Sequence, residues 1–235
     1  MDIFDQPAYF KPTDPKGDVF VFGKGPQLEE TDAQNGVARV GGVWRHPDYF
    51  HAYLQSAEIL VNHGVQHNKL DEISLPAFYL QRHALELLVK RLLSWLYEYA
   101  EFRAEAGHDC SGMPSKKQKQ RFTNSHDISA LHVDLCASCE HFGFTAPPLE
   151  LASLVQRMKS VETTETWARY AQSNTRDGAI ISHVEQETVV PIVDLQRDLE
   201  FVSKKIVSRL DLEDTYEQEL YDHWANAAHA AGHTG

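Results

Sequence analysis

The sequence predicts a mainly α-helical protein, a bundle of four or five helices with an irregular N-terminal arm and a small β-hairpin insertion. Three stretches carry that expectation. From Leu75 to about Phe102, the residues Phe78, Arg82, Leu85, Leu88, Val89, Leu92 and Leu96 recur at three- and four-residue steps, the period of one helix face. Ile128, Leu131, Leu135 and Cys139 repeat that step between a polar start at Ser125–Asp127 and a stop at Gly143. Leu195, Leu199, Val202, Ile206 and Leu210 do so again over Val193–Leu210.

In chain order, residues 1–45 are rich in Gly, Pro, Asp and Phe and lack a helical period. They read as an arm in which Asp18–Gly23 is a short strand and Gly36–Trp44 its partner. Helical spacing begins near Pro47 and runs through Tyr49, Tyr53, Ala57, Leu60 and Val61 to about Asn62, where His63-Gly64 reads as the stop. Pro76 is placed for the first turn of the following long helix. A second, polar stripe of Tyr79, His83, Glu86 and Lys90 runs along that helix beside the apolar one. Residues 104–125 read as a polar loop holding the basic run Lys116-Lys117-Gln118-Lys119-Gln120-Arg121. Pro147-Pro148 separates the Ser125–Gly143 helix from another over Leu149–Val161. Thr164–Ala171 and Ala179–Val184 flank the turn-like Asn174–Gly178, the pattern of a hairpin or an ordered insertion. After the Val193–Leu210 helix, the pattern allows a helical continuation over 212–227, with fraying from Ala228. The expected organisation is an arm at 1–45, a helical domain at 46–227 and a flexible tail at 228–235.

Composition narrows the function classes. The chain has 235 residues, 42% hydrophobic and 24% charged, a globular balance that excludes disordered and fibrous classes. A formal charge of -12 repels phosphate at long range, which argues against a broad nucleic-acid footprint but not against a small basic site. No stretch approaches the ~18 apolar residues needed to span a bilayer, so no membrane partner is expected. The acidic start Met1-Asp2-Ile3-Phe4-Asp5 carries no secretory pattern, and three cysteines suit a reducing compartment, so a cytoplasmic location is expected.

Three motifs then occur together: Ala84-Leu85-Glu86 followed by Lys90 on the long helix, His126-Asp127-Ile128 opening the next one, and Trp167-Ala168-Arg169-Tyr170 beyond. Over roughly residues 46–210 this resembles the HEPN superfamily, whose second helix often reads Ala-Leu-Glu-x-x-x-Lys and whose third begins His-Asp-Leu. The resemblance implies a homodimeric bundle of four or five helices. It further implies either a metal-independent RNase of toxin–antitoxin or phage-defence systems, or a non-catalytic module that binds nucleotides, nucleotidyltransferases or other proteins, with an antitoxin or defence-system protein among the expected partners. Active members use an Arg-x4–6-His motif, which Arg39/His46, Arg45/His51, Arg103/His108, Arg121/His126 and Arg176/His183 all satisfy. Thirteen histidines make chance matches frequent, so context must choose. Arg121/His126 ends the basic run and holds the family-like His-Asp position.

The chemistry fits those residue types. A histidine can take the ribose 2′-OH proton, and an arginine fork can hold two phosphate oxygens. His126 is accordingly the expected base, with Arg121 and Arg169 as phosphate clamp. Glu86, Lys90, Tyr170 and Asp127 form the supporting polar shell. Backbone amides at the mouth of the His126 helix would favour a phosphate. Glu86, a carboxylate within an apolar helix, either orients His126 or Arg169 in a polar cleft or pairs with Lys90 at the surface. His132, Cys136, Cys139 and His141 offer zinc-ligand types, but Cys139 falls on the apolar register and no second cysteine pair exists, so neither metal nor cofactor is assigned. Gly23-Lys24-Gly25-Pro26 lacks the Gly-Lys-Ser/Thr turn of a phosphate-binding loop, and no His-Glu-x-x-His is present.

Overall fold

The computed structural model describes residues 9–10, 19–20, 26–38, 48–108, 116–162, 167–168, 172–174, 180–184, 186–207 and 215–233, and the chain is mainly helical. It divides into two units, Met1–Tyr49 and Phe50–Gly235. In the first, β1 (Tyr9–Phe10) pairs antiparallel with β2 (Val19–Phe20), so the strand expected near Asp18–Gly23 has a partner upstream, while most of Gly36–Trp44, its expected partner, lies outside the described residues. The arm is also not irregular throughout: α1 occupies Pro26–Gln34. Proline's fixed φ suits a first helical position, and Gly36, at φ 64°, supplies the left-handed residue that ends the turn. Polar and charged residues dominate α1, so no apolar period announces it.

In the second unit α2 spans Tyr49–His67 and buries Phe50, Leu54, Ala57, Val61 and Gly64. The buried stripe therefore starts at Phe50, while Tyr49 is exposed. His63-Gly64 does not stop this helix. Gly64 is instead where the residues beyond the helix approach closely: a Cβ there would lie 2.9 Å from Ile73 Cγ1 and 3.0 Å from Leu70 Cδ2. The stop comes at Asn68, whose φ is 55°. Gly64→Val is expected to cost about 1–3 kcal/mol by overpacking this contact. A urea-midpoint comparison checks it, and an unchanged or raised midpoint would contradict the close approach.

Helix α3 covers Leu70–Glu105, 36 residues, or about 54 Å at 1.5 Å per residue. It starts earlier than the sequence pattern suggests, which puts Pro76 inside the helix rather than in its first turn. Having no N–H, Pro76 cannot serve the Glu72 carbonyl one turn back. The basic run expected in a loop is helical: α4 is Lys116–Asn124, with Lys119 paired to Glu101 on α3. Helix α5 (Ile128–Phe142) has the predicted ends. Asp127 accepts from the amides of Ser129 and Ala130, and Gly143 adopts φ 73°. Helices α6 (Leu149–Val161) and α7 (Ile192–Ile206) follow the apolar spacing, although α7 ends before Leu210, which lies outside the described residues. Between them β3 (Gln172–Asn174) pairs antiparallel with β4 (Ile180–Ser182). Helix α8 (Tyr216–Ala230) is capped by the Thr215 side chain. It continues past the point where fraying was expected: Ala227 and Ala228 are buried, and His233 donates to Glu105 at 2.7 Å.

Helix α3 is the axis of this unit, packed against α5, α7 and α8, with α6 lying against α5 and α7. Phe78, Leu85, Leu88, Leu92, Leu93 and Leu96 are completely buried there, and they meet Ile128, Leu131, Leu135, Leu151, Leu154 and Met158 in one cluster. Polar ties fix the register. Gln81 donates to the Ile192 carbonyl at 2.9 Å and to Gln196 at 3.1 Å, joining α3 to α7. On another face, Arg91 and the Trp95 indole both grip the buried carboxylate of Glu217 on α8, the indole at 3.0 Å. Among the described residues no helix is long and apolar enough to cross a membrane.

Candidate functional site

Residues four apart on a helix face the same way, so Arg82, Glu86 and Lys90 form one column on α3. The Glu86 side chain is 2% exposed, and a carboxylate so buried must be compensated. Arg82 Nη1 reaches one carboxylate oxygen at 3.0 Å, Lys90 Nζ reaches the other at 2.9 Å, and His126 Nδ1 sits 3.0 and 3.3 Å from the two. His83 Nδ1 approaches to 4.0 Å. Burial is the largest single influence on Glu86 and pulls its pKa up. The bond and charge of Lys90, with the charges of His126 and Arg82, together outweigh it and hold the carboxyl below the usual range.

The same column clamps the segment entering α5. Arg82 donates through Nε to Glu162, at the end of α6, and through Nη2 to the backbone carbonyl of His126. Lys90 donates to the Thr123 carbonyl at 3.1 Å. Lys159 lies 3.1 Å from Glu162 and 3.9 Å from Asp127. Both the backbone and the ring of His126 are thus held by side chains of α3. Because carboxylate oxygens only accept, Nδ1 carries the proton in this contact, and the neutral ring keeps a lone pair at Nε2. With the side chain 45% exposed, the arrangement is an oriented imidazole, backed by a buried carboxylate and open to solvent, which is competent for proton transfer.

The structure thus brings together His126, Glu86 and Lys90 of the predicted site, with Asp127 beside them. Asp127 acts as the helix cap, and its Oδ1 takes the amides of Ser129 and Ala130 at 3.0 and 3.3 Å. Those amides, expected to favour a phosphate, already serve a carboxylate. Arg121 lies in α4, and its side chain, like the whole of Arg169 and Tyr170, is outside the described residues. Arg39, Arg45, His46 and Arg176 are outside them too. Of the competing pairs, Arg103 is occupied by Tyr99, donating to its hydroxyl at 3.3 Å and lying 5.7 Å over its ring, while His183 is buried.

Sequence reasoning missed Arg82 and Glu162 as members of this network. Arg82 had a readable signal, an arginine in an otherwise apolar stripe. Glu162 had none, since its partner is 80 residues away. The cysteine cluster disperses: Cys139 is buried with Sγ 3.0 Å from the Tyr216 hydroxyl, which donates in turn to the Thr145 carbonyl. Burial raises the pKa of that thiol, and His141 is exposed. His132 and Cys136 remain neighbours, with Nε2 and Sγ 3.7 Å apart. Among the described residues, no group of three His, Cys, Asp or Glu side chains is placed to hold a metal ion. The chain matches no family model, no curated protein and no solved structure.

Proposed function

We propose that the chain is a HEPN-like helical bundle, with β3–β4 as an insertion between α6 and α7, that cleaves RNA without a metal ion. In this reading it works as a homodimeric effector of bacterial stress or phage defence, held in check by an antitoxin-like partner. The observation that carries the reading is the exposed His126 imidazole seated on the buried Glu86 carboxylate. His126 Nε2 takes the proton of a ribose 2′-OH, and Glu86 steadies the imidazolium through Nδ1–H. The 2′-oxygen then bonds to the adjacent phosphorus as the P–O5′ bond breaks, and the leaving 5′-oxygen takes a proton from water, giving a 2′,3′-cyclic phosphate and a 5′-hydroxyl. Arg121 and Arg169 clamp the phosphate in this scheme, with Tyr170 in the polar shell.

A second reading, a non-catalytic module for a nucleotide or a partner protein, is favoured by a different observation. Arg82 and Lys90 are both committed to Glu86 and to backbone carbonyls, and Asp127 occupies two amides at the mouth of α5. Incubation with total RNA in EDTA separates the two readings. The expected result is cleavage by the wild type, reduced roughly 10²–10⁴-fold in His126→Ala and weakened in Arg169→Ala. Intact RNA after incubation with folded wild type would transfer the assignment to the binding module.

A further inference from the structure

We propose that His63 and His67, on the last turn of α2, form a two-imidazole site for a borderline divalent transition-metal ion, Cu2+ most strongly and then Ni2+ and Zn2+. Both residues are exposed, one helical turn apart, with ring centroids 4.2 Å from each other and planes 27° apart. His67 Nδ1 lies 2.9 Å from the His63 carbonyl oxygen. A carbonyl only accepts, so Nδ1 carries the proton and Nε2 is left with its lone pair outward. Metal-binding histidines are commonly prepared this way, with the far nitrogen donating to a backbone carbonyl.

The two rings share a rigid helix, so binding the first nitrogen presents the second at high effective concentration. The site is also at the C-terminal end of α2, where the carbonyl end of the helix dipole favours a cation. Imidazole ligands rank the divalent ions with copper above nickel and zinc. Among the described residues no third His, Cys, Asp or Glu joins the pair, so water completes the coordination. The bound ion is therefore exchangeable and open to an added ligand, unlike a closed structural zinc.

The test is calorimetric titration of the full chain with CuCl2, NiCl2 and ZnCl2, beside His63→Ala, His67→Ala and, as a control at the His132–Cys136 contact, His132→Ala. His63→Ala and His67→Ala are each expected to weaken binding at least tenfold, and His132→Ala to leave it unchanged. Because 13 histidines are present, the ring-proton NMR signals of His63 and His67 should also broaden first at substoichiometric Cu2+. Wild-type affinity retained in both α2 variants, or first broadening at other histidines, would overturn the proposal, as would an absence of binding at millimolar metal.

Discussion

Replacing Arg82 with alanine is expected to lower stability by about 3–5 kcal/mol, the usual cost of leaving a buried charge without its partner. One guanidinium serves three acceptors from three parts of the chain: Glu86 on its own helix, Glu162 beyond α6 and the His126 carbonyl before α5. Removing it takes a partner from two carboxylates whose side chains are each 2% exposed, leaving Glu86 with Lys90 at 2.9 Å and His126 at 3.0 Å. Lys159 offers Glu162 partial compensation from 3.1 Å. Arg82→Lys keeps the charge but lacks the planar fork, so it should recover only part of the loss. Against a typical total of ~5–15 kcal/mol, Arg82→Ala should leave a readily unfolded protein. Urea denaturation measures this directly, and a loss below about 1 kcal/mol would mean that the network does not bear on stability.

Glu86→Gln separates positioning from folding. The amide keeps the shape and an acceptor for His126 Nδ1–H, but it carries no charge to stabilise an imidazolium. In the proposed RNase the rate should fall roughly 10²–10⁴-fold, with a changed pH–rate profile that a purely structural role would not produce. Stability gives a second readout. The folded-state pKa of Glu86 lies below its ordinary value of 4.5. The carboxylate's contribution is therefore complete above pH 4.5 and is lost as pH falls through the lower folded value. The stability gap between wild type and Glu86→Gln should be constant near neutrality and close in acid, below pH 4.5, as the carboxylate takes up its proton. A gap that widens in acid would place the wrong sign on the interaction.

The legible parts of this fold are those where one helix face pays for its own burial. Phe78 to Leu96, Ile128 to Cys139 and Leu195 to Ile206 each declare a stripe, and Asp127 and Gly143 mark helix ends through local chemistry. Helices α1 and α4 were hidden because their residues are mostly polar or charged and have no such stripe. Gly64 and Pro76 misled for the opposite reason. Each is a breaker by itself, yet Gly64 lies inside α2 against Ile73 and Leu70, and Pro76 lies inside α3 with its ring exposed. At the site, the weighing of Glu86 against His126 could be made from a carboxylate in an apolar helix and a neighbouring helix start. The full role of Arg82 could not, because two of its three acceptors lie 44 and 80 positions away.

The grip of Arg91 and Trp95 on Glu217 also has a consequence for the nascent chain. The two ends of the Arg91–Glu217 pair are separated by 126 residues. At ~5–20 residues per second, a ribosome needs roughly 6–25 s to travel from one to the other. Throughout that interval the α8-facing side of α3, with Trp95, Tyr99 and Phe102, waits for Tyr221, His223 and Trp224, the rings it meets in the finished protein. An aromatic surface without its cover for that long is what holdase chaperones bind, so newly made chains are expected to pass through such custody before α8 closes over them.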